Sequence, residues 1–441
     1  MAMPTPLEIY LLTFNCARTL IEPQLLGAHL FNAWPKHKTT LPDIVAFSLQ
    51  EVTPIAYSFL GEAWIQPYLA RVDESLSVAS ATHQNASSQY ERVAAHSIGM
   101  TAAMVYVRKE LKESISKVET AGVGVGVWEM GNKGGVGIRF DIDGKELTFL
   151  AMHLAPMEGC VIRRNQDWED ICRGLVFEQA GQGIGQAGTE QEPLLAGMKR
   201  TATGLYKKNN TIFLFGDLNY RTSHLPPGPS TYKTYPQPAR PDDPPNTRIA
   251  VSDLLARDEL TQERLEGRVL QGFAEEPITF PPTYKYSHSQ TQLPGPQAAK
   301  EDSTDESDDS TLTREPSTWT WAKHRWPSWC DRILFYPPNG ITPGTYTALP
   351  LLPSSDHRAV ALHVTLDLSA HDGVDGDLRV SPPFPLDLGW RTRRAAARRY
   401  EVAVGMASWP ILTTEGNATL GGLLASALAV YFLFTMFGRG V

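Results

Sequence analysis

Apolar residues in this chain fall into short unbroken runs, and several runs stop at a residue able to do chemistry. Glu8–Cys16 is rich in Ile, Tyr, Leu and Phe and delivers the amide of Asn15. Asp43–Leu49 stops at Gln50 and Glu51, Leu147–Met152 at His153, and Ile212–Phe215 at Gly216 and Asp217. Such runs, bounded by turn residues, read as buried strands. Further strands are expected at Val136–Phe140, Ile333–Tyr336 and Ala359–Val364, and Met104–Val107 and Gly122–Trp128 are expected to pair. Helical spacing marks 22–34, 158–177 and 252–271; in the second, Val161, Trp168, Ile171, Cys172 and Leu175 fall at helical steps. Strands mixed with helices predict an α/β fold, and such folds gather their chemistry at the C-terminal ends of strands.

The pattern changes three times. Residues 179–197 are Gly- and Gln-rich and 226–245 are Pro-rich, both expected as loops. Residues 287–317 carry an acidic Ser/Thr run, 301–309, expected as a disordered insertion. From 369 to 417 the chain reads as a linker with Arg391, Arg393, Arg394, Arg398 and Arg399, suited either to solvating a short helix or to meeting anionic lipid head groups. Residues 418–437 then hold no charge, and as a helix they match the hydrocarbon core of a bilayer. The expected organisation is a catalytic domain over 7–368, a basic linker over 369–417 and a transmembrane anchor over 418–437.

Composition adds bounds. At 441 residues the chain can bury a large core, and its 42% hydrophobic content is that of a globular protein. A net charge of −8 disfavours a general nucleic-acid binder, so an anionic ligand needs a local basic cluster. The four cysteines show no CxxC spacing and read as reduced thiols.

Asp217 and Asn219, two apart, project to one side while the chain stays extended, so a carboxylate and an amide are presented together. The same residues also suit a plain turn. Glu51 with Asn15 offers the hard oxygens that magnesium takes, while either alone suits a strand end facing water. In Gly131-Asn132-Lys133-Gly134-Gly135 the glycines allow close backbone approach and Lys133 adds a point charge, although a hairpin uses the same residues. Asp356 and His357 sit side by side just before a buried run.

Taken together, these segments resemble the inositol polyphosphate 5-phosphatases of the endonuclease/exonuclease/phosphatase superfamily. The motifs are Phe-Ser-Leu-Gln-Glu (47–51), Gly-Asn-Lys-Gly-Gly-Val (131–136), Met-His-Leu-Ala-Pro (152–156) and Arg-Arg-Asn-Gln-Asp-Trp (163–168). Phe-Gly-Asp-Leu-Asn-Tyr-Arg (215–221), Phe-Pro-Pro-Thr-Tyr-Lys-Tyr (280–286), Pro-Ser-Trp-Cys-Asp-Arg-Ile-Leu (327–334) and Ser-Asp-His-Arg (355–358) follow in family order. The resemblance implies a four-layer α/β sandwich of two packed sheets flanked by helices, and a single-metal phosphoesterase. It makes Glu51 the Mg2+ ligand, with Asn15 beside it and Asp356 next to the metal. It makes Asp217 the residue that orients or deprotonates water, and Asn219 and His153 the holders of the scissile phosphoryl oxygens. Asp331 should bond His357 and fix its tautomer; an alternative division makes His357 the base.

Substrate contacts implied by the resemblance are Asn132, Lys133, Arg164 and Asn165, with Tyr284, Lys285, Lys323 and Arg325 around a neighbouring 4-phosphate. The expected activity is Mg2+-dependent hydrolysis of the 5-phosphate of phosphatidylinositol 4,5-bisphosphate at a cytosolic membrane face, the endoplasmic reticulum being the expected address. A soluble inositol phosphate would make the same head-group contacts. A nuclease of the same superfamily and a silent phosphoinositide-binding scaffold are the competing classes; no nucleic-acid partner is expected.

Overall fold

The computed structural model describes residues 6–84, 89–179, 203–237, 248–287, 319–369 and 377–437. The Gly/Gln-rich stretch falls almost entirely outside them, as does the acidic insertion expected over 287–317 apart from Ser287.

Two six-stranded mixed sheets face one another. The first is built from β1 (Leu7–Asn15), β2 (Ile44–Gln50), β3 (Tyr90–Ile98), β4 (Thr101–Arg108), β11 (Ile341–Ala348) and β12 (Val360–Leu366), in the order β11-β12-β1-β2-β4-β3. The second holds β5 (Ile115–Gly124), β6 (Gly134–Ile142), β7 (Lys145–His153), β8 (Glu178–Gln179), β9 (Asn210–Asp217) and β10 (Asp331–Tyr336), in the order β10-β9-β7-β6-β5-β8. Met104–Val107 and Gly122–Gly124 therefore lie in β4 and β5 of opposite sheets and are not the pair expected from sequence. An apolar run specifies burial, not a partner.

Strand alternation explains the four layers. In β1, Leu7, Ile9 and Leu11 enter the core between the sheets, while Tyr10, Leu12 and Phe14 enter an outer core. In β9, Phe213 and Phe215 face inward and Ile212 and Leu214 outward, into a third cluster. Central strands are buried on both faces, which is why they read as unbroken apolar runs. The outer layers are helical. On one side α1 (Pro23–His29) and α3 (Glu62–Gln84) cover the first sheet, α3 through Ile65, Leu69, Val72, Leu76 and Ala79. On the other, α4 (Val161–Gly174) buries Trp168, Ile171 and Cys172, and α6 (Glu259–Leu265) buries Leu260. Short α2 (Ile55–Leu60) packs against α3, and short α5 (Val251–Leu255) sends Leu254 into the core between the sheets.

Register brings the functional strand ends to one edge. β1 and β2 run parallel, so Asn15 lies opposite Gln50, and β7 and β9 run parallel, so His153 lies opposite Asp217. Antiparallel β10 starts at Asp331, opposite Asp217, and antiparallel β6 starts opposite His153. Ser48 Oγ ties the sheets together near this edge by donating to the Phe215 carbonyl at 2.7 Å. Here β7 and β9 lie so close that a Cβ on Gly216 would meet the Met152 carbonyl oxygen at 2.0 Å. Gly216→Ala is expected to cost about 1–3 kcal/mol through this overpacking; urea unfolding at an unchanged slope measures it.

The segment expected as a linker contains α7 (Trp390–Leu412), which packs Gly405 against Phe59 and Leu60. Four of the five arginines expected to meet lipid are paired within the chain: Arg391 with Glu178, Arg393 with Asp387, and Arg394 and Arg398 with Glu401. α8 (Thr414–Phe437) follows; over Thr414–Thr435 it is long and apolar enough to cross a membrane, and none of its most apolar window is buried.

Candidate active site

Asp217 is the hub of the edge where the strand ends meet. Its Oδ2 accepts from Asn15 Nδ2 at 2.9 Å, across the two sheets, and its Oδ1 accepts from the Asn219 backbone N–H at 3.1 Å. His153 Nε2 stands 3.4 Å from Oδ2 and His357 Nε2 4.0 Å from it. Burial works against a charge on Asp217, but the two histidines and Lys133 hold its carboxyl well below the ordinary range. It is ionised at neutral pH.

His357 is held from its other side. Its Nδ1 donates to Asp331 Oδ2 at 2.9 Å, and Thr283 Oγ1 donates to the same oxygen at 2.6 Å. Burial opposes charge on the imidazole, yet the carboxylates of Asp331 and Asp217 outweigh it and raise His357 to about 9. Burial pushes Asp331 up in turn. His153 is the opposite case: burial and then Lys133 lower it, leaving it neutral. Lys133 Nζ lies 2.7 Å from His153 Nε2 and 3.8 Å from Glu51 Oε1. Two histidines at one edge thus carry different charges because one has a carboxylate behind it and the other an ammonium.

Backbone shape supports this layout. Glu51 and Asn219 both take left-handed conformations, φ 46° and 58°, which turn the chain sharply as it leaves its strand. The segment Thr283–Lys285 is threaded between Ser328 and His357, with the Thr283 and Tyr284 N–H groups donating to the Ser328 carbonyl. The Tyr284 ring lies 4.6 Å from that of His357. Lys285 pairs with Asp356, and its carbonyl accepts from Ala322 N–H at 2.9 Å, which brings Lys323 and Arg325 alongside. Lys323 lies over Tyr232 at 4.8 Å, and Arg325 is 3.9 Å from Glu158.

Several expected residues do other work. Arg164 is fully buried; it pairs with Glu259 at 2.6 Å and donates to the Met157 carbonyl at 2.8 Å. Asn165 donates to Glu263 and accepts from Tyr220. Both brace the α4–α6 contact, because a buried cation or amide must find partners. Asn219 spends its amide on the Leu154 carbonyl and its oxygen on Arg221, and Asn15 spends its amide on Asp217 and its oxygen on Ala17 N–H. In this geometry Asn219 and Asn15 set the Asp217 loop. Asn132 keeps a buried Oδ1 with no hydrogen-bond partner.

Other contributors were not singled out from sequence. Arg221, buried with its guanidinium 4.5 Å from the Tyr284 ring, joins the Asp217 loop to the Thr283–Lys285 segment. Ser355 Oγ donates to the Asn15 carbonyl and accepts from His357 N–H. Arg18, paired with Glu51 at 3.1 Å, is a third.

The edge can hold a hard cation. Asp217 and Asp331, on either side of the charged His357, offer carboxylate oxygens within 4.8 Å of one another, and Asp331 Oδ1 is buried without a hydrogen-bond partner. A carboxylate oxygen left in that state is suited to a divalent ion, which takes oxygen ligands. Glu51, at the neighbouring strand end, adds another.

Residues 12–363 match the model of endonuclease/exonuclease/phosphatase family 2. The chain belongs to this family. It is 30% identical over 331 residues to mouse type II inositol 1,4,5-trisphosphate 5-phosphatase, an alignment covering 74% of this chain and 27% of that protein. It is 29% identical over 282 residues to human phosphatidylinositol 3,4,5-trisphosphate 5-phosphatase 1, covering 62% and 19%. The chain thus spans about a quarter or less of these relatives' length. Among solved structures, the inositol polyphosphate 5-phosphatase domain of SPsynaptojanin, crystallised with inositol (1,4)-bisphosphate and a calcium ion, has a TM-score of 0.58 at 24% identity. That match covers 92% of this chain and 93% of the other. The four-layer sandwich expected from the motifs is the family fold.

Proposed function

We propose that this protein hydrolyses the 5-phosphate of phosphatidylinositol 4,5-bisphosphate, with Mg2+ as its metal. One observation carries the reading: the Asp217–His357–Asp331 cluster lies next to a separate set of cations, Lys285, Lys323 and Arg325, joined through one hydrogen-bonded segment. A site for breaking a phosphate ester beside a site for a second phosphate fits a ligand with neighbouring phosphates. The 5-phosphatase names of both relatives support the same class.

Phosphate ester hydrolysis needs an in-line water and neutralisation of charge on the transferring group. Asp217, ionised and fixed by Asn15 and the Asn219 N–H, is placed to hold the water. Its low basicity suits orientation, which a loose transition state needs more than a strong base. His357 is charged at neutral pH and donor-only, with Asp331 fixing Nδ1, so its Nε2–H supplies a hydrogen bond to a phosphoryl oxygen. We therefore infer that Asp217, not His357, manages the water. Lys133, beside neutral His153, brings a second positive charge. Glu51 and its neighbours would hold the metal, whose chemistry there would be to polarise a phosphoryl oxygen.

Lys323 and Arg325 give the substrate test. Removing either cation is expected to lower kcat/KM for the 4,5-bisphosphate lipid about ten- to a hundred-fold while sparing the 5-monophosphate lipid, since a hydrogen bond to a charged group contributes about 1.5–3 kcal/mol. Equal losses on both substrates would place these cations elsewhere. We further infer that α8 anchors the domain to the cytosolic face of a membrane, the endoplasmic reticulum being the expected one. The support is an apolar helix that the rest of the described chain leaves uncovered.

A further inference from the structure

Helix α7 lies beyond residue 363, where the family match ends, yet it touches the catalytic loop. Glu401, only 1% exposed, accepts a hydrogen bond from the Gly131 backbone N–H at 2.9 Å. Its carboxylate is gripped by Arg394 at 2.6 and 3.1 Å and by Arg398 at 3.3 Å, and Arg398 also donates to the Phe59 carbonyl. On its other side, the Gly131 carbonyl accepts from Met100 N–H at 3.0 Å, and the Met100 carbonyl accepts from Val52 N–H at 3.2 Å. Val52 follows Glu51 directly. One hydrogen-bond chain therefore joins α7, the Gly131 loop, the turn at Gly99–Met100 and the strand end that presents Glu51.

The loop has little freedom to be held any other way. A Cβ on Gly99 would lie 2.2 Å from the Gly131 carbonyl oxygen, so the two backbones are already in contact. Two residues after Gly131, Lys133 reaches His153 and Glu51. A buried N–H needs an acceptor, and a charged acceptor held by two guanidinium groups makes a shorter, more directional bond than a neutral one.

We propose that Glu401 is a positioning residue for the Gly131–Lys133 loop, so that a helix beyond residue 363, where the family match ends, completes the active site. Glu401 does not touch substrate; it acts through Gly131. The kinetic part of this proposal rests on the phosphatase reading, and the structural part does not.

The test uses the full chain as wild type, Glu401→Ala, Glu401→Gln and, as a control on the same helix, Ser408→Ala. Below each variant's melting transition, Glu401→Ala is expected to lower kcat on the 4,5-bisphosphate lipid roughly ten- to a hundred-fold, the scale of a misplaced catalytic group. Amide hydrogen exchange at residues 126–134 should rise about ten-fold with the loss of one charge-assisted bond. Glu401→Gln keeps an oxygen for the Gly131 N–H and should recover most of both effects, and Ser408→Ala should change neither. A lowered melting temperature with kcat and loop exchange unchanged would overturn the proposal, as would equal defects in the Ala and Gln variants. If the wild type releases no phosphate, the phosphatase reading falls, and the exchange contrast between Ala and Gln still decides the positioning role.

Discussion

Asp217→Asn is expected to lower the rate of phosphate release by about 10³- to 10⁴-fold, within the range that orienting a reacting group can supply. The substitution is nearly isosteric. It keeps one of the two oxygens that accept from Asn15 and from the Asn219 N–H, the donors that fix the side chain. It removes the charge that faces His153 and His357. The expected signature is therefore a collapse in kcat with a cooperative melting transition retained, measured by phosphate release and by circular dichroism on the same preparation. A variant with near wild-type kcat would move the water to another residue.

Asp331→Asn has the second largest expected effect, about 10²- to 10³-fold in kcat, the scale of losing one preorganised donor to a developing anion. Asp331 touches His357 Nδ1 and holds the ring's charge; an amide there can do neither as well. The same pair has a stability consequence. His357 is raised from its ordinary 6.5 to about 9 in the folded chain. A raised pKa means that the folded state holds the proton more tightly. The pair's stabilisation is therefore full below about pH 6.5 and fades as pH rises through about 9. In chelator-treated protein, the urea midpoint of wild type should fall across that window, and that of Asp331→Asn should fall less. Parallel pH curves for the two proteins would contradict the charge assignment.

Much of the fold was legible because its inner strands are buried on both faces. β1, β2, β7 and β9 announce themselves as apolar runs, and their C-terminal residues are the ones that meet at the site. The edges were harder. β3 is only partly buried along most of its length, and β11 carries Pro343 and Gly344, so neither shows a strong strand pattern. α3 does carry a helical stripe in its sequence, Ile65, Leu69, Val72, Leu76 and Ala79. Tyr284, Lys285, Asp331 and His357 stand in short motifs, and the fold brings them side by side. Arg164 and Asn165 stand in a motif too, but their partners Glu259 and Glu263 are nearly a hundred residues away, and nothing local tells a bracing cation from a ligand-binding one. Glu401 lies at the extreme of that difficulty. It sits within a basic, linker-like stretch, and the packing of α7 onto α2 and Trp128 carries it to Gly131.

The most direct measurement is phosphate release by the full chain in detergent or vesicles, with and without Mg2+, on phosphatidylinositol 4,5-bisphosphate, phosphatidylinositol 4-phosphate and abasic DNA. Release from the bisphosphate lipid alone, abolished by a chelator and by Asp217→Asn, is the expected result. Cleavage of abasic DNA, or binding of the bisphosphate lipid without turnover, would contradict it.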